Sequence, residues 1–201
     1  MHPAGHFRET DEAAMRALVA EIGFGLIIGV DGARPLVAHA ALLLEGRSLR
    51  FHISRVNALT PVLEKGGTAL AVVTGADAYV SPDWHGVPDQ VPTWNYLSVE
   101  MEGPVRPLDD DAAAGLLDDL SAHFEAKLAP KPPWTSAKMT PSRFEGLVRK
   151  GIRAFEMSLE RFEGVTKLSQ NKDDAVMARI IAALGDVEIA RLMELKRAPR
   201  R

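Results

Sequence analysis

The sequence predicts a mainly β protein of the α+β class: a small closed barrel with helical decoration, ending in a helical pair. Three observations carry this. Short apolar or alternating segments, six or more and each bounded by glycine, proline or polar turn residues, fill residues 24–159. Helical spacing appears between them and takes over only in the last thirty residues. The 201 residues, 46% hydrophobic and 25% charged, suffice for one real core without cross-links.

Taken in order, Thr10 can cap a first helix over 11–21, whose acids sit where the helix dipole favours them. Residues 24–30 read as a strand, Asp31-Gly32 as a tight turn, and 36–44 as the antiparallel partner. Gly46 turns the chain into a strand at 48–54. Asn57 is placed to cap a short helix that ends at Lys65-Gly66-Gly67. Residues 68–74 form a buried-looking strand; Pro82, Gly86, Pro88 and Pro92 make 81–93 a loop; 94–105 is a long strand. Asp109, Asp110 and Asp111 open a helix with Leu116, Leu117, Leu120 and Phe124 on one stripe. The prolines of 130–133 separate it from a helix begun by Thr140-Pro141, and 152–159 alternates as the last strand. Val176, Ile180, Ile181 and Leu184 mark a helix over 173–184, with Asn171 as a candidate cap. Gly185-Asp186 breaks it before a second short helix to about 196. The expected organisation is a barrel domain over 1–171 with a helical appendage of the same domain over 172–201.

Composition excludes several classes. The chain has no cysteine, so it has no disulfide, thiolate metal site or cysteine nucleophile, which suits a reducing compartment. Its net charge of −3 gives no global field for nucleic acid. No apolar run approaches the roughly 20 residues of a spanning helix, and 1–10 has no signal-peptide core. A cytoplasmic protein without a membrane partner is expected. The six histidines have no metal-ligand spacing, and no glycine-rich phosphate loop, HExxH or serine elbow is present. No metal is expected, and no catalytic residue can be nominated.

Three clusters carry chemistry. In 51–57, Arg55 offers a fork of donors, His52, Ser54 and Asn57 add short polar groups, and the following helix start adds amides. An anion suits such a corner; so does a capped helix beside a solvated arginine. In 166–172, Lys167, Ser169 and Gln170 gather a cation, a hydroxyl and an amide at one strand end. In 79–96, two tryptophans and both tyrosines lie among amides, fit either to stack a flat heterocycle or to bury themselves in a dimer interface.

Seven blocks in order resemble the PaiB family of FMN-binding negative transcriptional regulators, within the FMN-binding split-barrel group. They are Met1-His2-Pro3 with His6-Phe7, Phe24-Gly25-Leu26, His39, His52-Ile53-Ser54-Arg55-Val56-Asn57, Ala78-Tyr79-Val80-Ser81-Pro82, Val91-Pro92-Thr93-Trp94-Asn95-Tyr96 and Lys167-Leu168-Ser169-Gln170-Asn171. Ala40 and Ala58 depart from the family, where proline is frequent. The strand order is also similar to that of the pyridoxamine-phosphate oxidases. The resemblance implies a split barrel, a homodimer, and FMN held between protomers. By position it implies that His52, Ser54, Arg55 and Asn57 hold the phosphate and that His39 lies beside the flavin. Lys167, Ser169 and Gln170 would approach flavin or substrate, and Trp94 and Asn95 the ring or the partner.

The family implies a negative transcriptional regulator; the alternative is a flavin-dependent oxidoreductase of unknown substrate, with the redox chemistry supplied by the flavin. Haem at His39 or His52 is a third reading. Direct DNA contact is unsupported by the charge pattern. The last helix, despite the basic residues at 196–197 and 200–201, carries two acids and mostly apolar residues, where a recognition helix presents polar and basic groups. A packed helical pair is expected instead.

Overall fold

The computed structural model describes residues 4–197. In chain order they form β1 (Arg8–Glu9), α1 (Glu12–Ile22), β2 (Phe24–Asp31), β3 (Arg34–Glu45), β4 (Ser48–Ser54), α2 (Thr60–Glu64), β5 (Thr68–Val80), β6 (Thr93–Pro107), α3 (Asp110–Ala126), α4 (Pro141–Gly146), β7 (Ile152–Ser158), β8 (Arg161–Lys167), α5 (Asp174–Leu184) and α6 (Glu188–Arg197). The chain divides into two compact units that interleave along the sequence, one described over 4–15, 74–99 and 163–197, the other over 16–73 and 100–162.

The second unit is a closed barrel. Its strands pair in the order β5-β2-β3-β4-β7, and β6 pairs with both β7 and β5, so the ring has no free edge. A turn at Gly32-Ala33, with Gly32 at φ 60°, joins β2 to β3 in the register Leu26↔His39. Burial alternates as a two-residue period demands. Gly25, Ile27, Ala38, Ala40, Ala69 and Ala71 line one wall, while Leu49, Phe51, Phe155 and Met157 fill the other. The Phe51 and Phe155 rings stack at 5.7 Å. Helix α3 covers the outside, setting Ala113, Leu116 and Leu120 into a cluster with Leu108, Val148, Ile152 and Ala154. Leu117 and Phe124 pack at its margin, as the stripe predicts. The Asp109 carboxylate caps α3 by accepting from the Ala112 amide at 2.8 Å.

In the first unit, β1 pairs with β8 in the register Arg8↔Val165. Helices α5 and α6 bury Val176, Ile180, Ile189 and Met193 against Val80 and Leu168. This is the packed helical pair the sequence predicts, and it shares its unit with residues 74–99.

Several boundaries differ from expectation for local reasons. Asp11, not Thr10, caps α1, accepting from the Ala13 and Ala14 amides at 2.9 and 3.2 Å. Asp173, not Asn171, caps α5, accepting from the Val176 amide at 2.8 Å. In both places a carboxylate nearer the first turn displaces the neutral cap. The helix expected from Asn57 starts only at Thr60, with Pro61 in its first turn, because 55–59 is spent on turns. β8 is unforeseen: Arg161, Glu163, Gly164 and Lys167 mask its short alternation. β5 and β6 also run longer than read from sequence. No helix among the described residues is long and apolar enough to cross a membrane. The blocks at Met1-His2-Pro3 and Arg200-Arg201 lie outside the described residues.

Gly103 on β6 marks where closure is tightest: a Cβ there would stand 1.8 Å from the Ser158 carbonyl oxygen of β7. Backbone cannot yield as a flexible side chain would, so Gly103→Ala is expected to destabilise the fold by about 2 kcal/mol or more. A denaturation midpoint equal to that of the parent protein would contradict this packing.

Candidate functional site

The candidate residues fall into two groups, one in each unit. In the barrel, β4 delivers His52 and Ser54 to its outward face and then breaks into the turn carrying Arg55 and Asn57. The turn is tied down by its own backbone. The Arg55 amide donates to the Gly151 carbonyl at 3.0 Å, the Asn57 amide to the Ser54 carbonyl at 3.0 Å, and the Thr60 hydroxyl to that same carbonyl at 2.7 Å. The Asn57 side chain accepts from the Leu59 amide at 2.9 Å, so it shapes the turn. With α2 only five residues long, its dipole adds little at this corner.

The Arg55 guanidinium is half-buried, and its Nε is buried with no hydrogen-bond partner. A buried donor on a permanent cation that lacks an acceptor is unfavourable until an anion supplies one. Beside it the Ser54 residue is exposed at the strand end. A guanidinium fork and a neighbouring hydroxyl fit a phosphate ester.

His52 takes a different environment from Arg55. It lines a cavity of about 270 Å³ with Leu117, Leu120, Ser121 and Phe124 of α3 and with Trp134. Its Nδ1 is buried without a partner, and burial holds the imidazole pKa below its ordinary value of 6.5. Trp134 escaped the sequence reading because it sits in a proline-rich stretch with no periodicity to place it on the barrel.

His39 faces outward on β3, opposite Leu26, and its ring stacks on Phe24 at 6.0 Å with 22° between planes. The same outer face carries Phe24, Val30 and Val37, each more than half exposed, with Leu26 and Ile28 between them.

In the first unit, the two-residue period of β6 separates two residues that the sequence reading had grouped. Asn95 is wholly buried, while Trp94 is 53% exposed on the opposite face, edge-on to Tyr79 at 6.0 Å. Asn95 and Ser169 bond each other twice: Asn95 Nδ2 donates to Ser169 Oγ at 3.0 Å, and the hydroxyl donates to Asn95 Oδ1 at 3.1 Å. Asn95 Nδ2 also reaches Met193 Sδ at 3.3 Å. Gln170 donates to the carbonyls of His6 and Thr166, at 3.1 and 2.6 Å, and accepts from the Leu168 amide at 2.7 Å. These three side chains therefore fix the end of β8. Lys167 projects from that fixed end, donating from Nζ to the Thr93 hydroxyl at 2.5 Å and lying 5.5 Å over the Phe7 ring. Burial lowers its pKa. Thr93 was missed, although strand alternation from Asn95 places it on this side. No group of three metal-ligating side chains occurs among the described residues.

Comparisons with known proteins bear on the family and the fold. A family profile described as "Putative FMN-binding domain" matches residues 1–161. The Protease synthase and sporulation protein PAI 2 of Bacillus subtilis is 27% identical over 206 aligned positions, covering 98% of this chain and 98% of its own. Among solved structures, the FAD and heme binding protein from Mycobacterium smegmatis superposes with a TM-score of 0.62 at 18% identity, covering 90% of this chain and 81% of its own. The flavocytochrome Anf3 from Azotobacter vinelandii gives 0.61 at 15% identity, covering 89% and 78%. The fold is thus the flavin-binding split barrel with a C-terminal helical pair, and the resemblance to PaiB proteins holds over the whole chain. On the profile that spans most of its length, this chain belongs to the family of FMN-binding domains, whose cofactor is FMN.

Proposed function

We propose that the protein is a cytoplasmic FMN-binding homodimer of the PaiB type, acting as a negative regulator of transcription. The observation that carries it is the orphaned Arg55 Nε beside Ser54 at the end of β4. Arg55 and Ser54 hold the FMN phosphate, Asn57 keeps the turn in shape for them, and the flavin contributes reversible hydride and electron transfer when bound. His52 stands two residues before Ser54 as a neutral imidazole, a hydrogen-bonding group and not a counter-charge. His39, stacked on Phe24, lies beside the ring.

A second copy covers the outer face of β2 and β3. Three large apolar side chains there are more than half exposed, and they continue into Leu26 and Ile28. The Bacillus subtilis relative is named a protease synthase and sporulation protein, and that name supports a regulatory output. That output runs through flavin state and dimer contacts, since α5 and α6 spend their apolar faces on packing. A flavin-dependent oxidoreductase is the second reading. It is favoured by the partly desolvated Lys167 amine beside a cavity, and reduction of bound FMN by NADH or NADPH under anaerobic conditions distinguishes it.

Three outcomes are expected. Arg55→Ala lowers FMN affinity by roughly 2 kcal/mol or more in a fluorescence titration, the range of hydrogen bonds to charged groups; an unchanged titration removes Arg55 from the site. Val37→Glu places a charge on the proposed dimer face and yields monomer by light scattering, whereas a parent protein that is already monomeric contradicts the interface. His52 is depressed in the fold, so the unfolded chain binds its proton first as pH falls through about 6.5, and stability declines until the folded pKa is reached. His52→Gln therefore flattens the fall in thermal midpoint below that pH; an identical slope in parent and variant would show that His52 is not held neutral.

A further inference from the structure

The first unit holds a cavity of about 190 Å³ that the FMN corner does not account for. Lys167, Lys172, Thr93, Ser169, Asn171 and His85 supply its polar wall and Phe7 and Val91 its apolar wall. No aspartate or glutamate lines it. Lys167 spends one donor on Thr93 and Lys172 one on Gln90, at 2.5 and 2.7 Å, and neither ammonium is paired with a carboxylate among the described residues. Two cations beside an acid-free hollow form an uncompensated charge, and Lys167 is partly desolvated as well. The Asn95–Ser169 pair and Gln170 hold this strand end rigid, so Lys167 is presented and not left to sweep through solvent.

The shape of the hollow narrows the anion. The first turn of α5, which follows Lys172, already has its Val176 amide taken by Asp173. One ammonium and one hydroxyl side by side suit the two oxygens of a carboxylate, and Phe7 with Val91 suits an apolar body behind it. We propose that this cavity binds a small organic monocarboxylate, its oxygens on Lys167 Nζ and the Thr93 hydroxyl and its body against Phe7 and Val91. The cavity is complete within its own unit, and the proposal goes beyond the FMN reading and does not depend on it.

The test is calorimetric titration of the full chain with sodium benzoate, its neutral counterpart benzyl alcohol, and inorganic phosphate, with and without saturating FMN. Benzoate is expected to bind one per chain, about tenfold or more tighter than either other probe, and less tightly as salt rises. Lys167→Met weakens benzoate by about tenfold or more, and Thr93→Val, a milder change that keeps side-chain shape, weakens it severalfold. Both variants are checked for parental far-ultraviolet dichroism, and if Lys167→Met does not fold, Thr93→Val decides. Equal binding of benzoate and benzyl alcohol, or benzoate binding untouched by the variants, overturns the proposal. Exclusion of benzoate by saturating FMN also overturns it, because the cavity would then belong to the cofactor. Loss of FMN binding with benzoate binding intact would instead count against the Arg55 reading alone.

Discussion

Pairing of β6 with both β5 and β7 is the constraint from which the barrel follows. Once the ring is closed, each strand has one face committed to a narrow interior, and its alternate residues must face outward. Interior positions are then filled by apolar residues from alanine to phenylalanine, and Gly103 is confined to hydrogen at its Cα by the Ser158 carbonyl. The outward positions are left free for function. His39 and His52 both occupy such positions, and Arg55 follows directly where β4 ends.

Closure also explains why the outward residues acquire such different environments. Where α3 covers the barrel, His52 is partly buried beside Trp134 and favours its neutral form. Where no described residue covers it, Phe24, Val30 and Val37 stay open to solvent. At the end of β4 the backbone satisfies its own amides in a turn, and the guanidinium is left with a donor and no acceptor. That combination is costly for folding alone and sensible for holding an anion.

Most strands and the main helices were legible in the sequence because their periodicity is strong: 48–54 is β4 as read, and the Leu116–Leu120 stripe is the buried face of α3. β8 was not legible, since charged residues and Gly164 interrupt its alternation and its partner β1 is only two residues long. The site was legible as composition but not as geometry. Asn95, Ser169 and Gln170 look like ligand-binding groups in a one-dimensional reading, yet each finds its partners inside the fold. Trp134 carried no signal of its own, and Phe7 and Thr93 stood out only inside blocks that resemble the family, because what places the three beside Lys167 or His52 is tertiary contact.

The central claim is that the corner after β4 recognises a phosphate ester, and riboflavin is FMN without that group. The most direct measurement is therefore the ratio of FMN to riboflavin affinity, in the parent protein and in Arg55→Ala. The account predicts that FMN binds about tenfold or more tighter than riboflavin in the parent, and that this preference largely disappears in the variant. Equal affinity for the two flavins in the parent, or a preference that survives loss of the guanidinium, would contradict it.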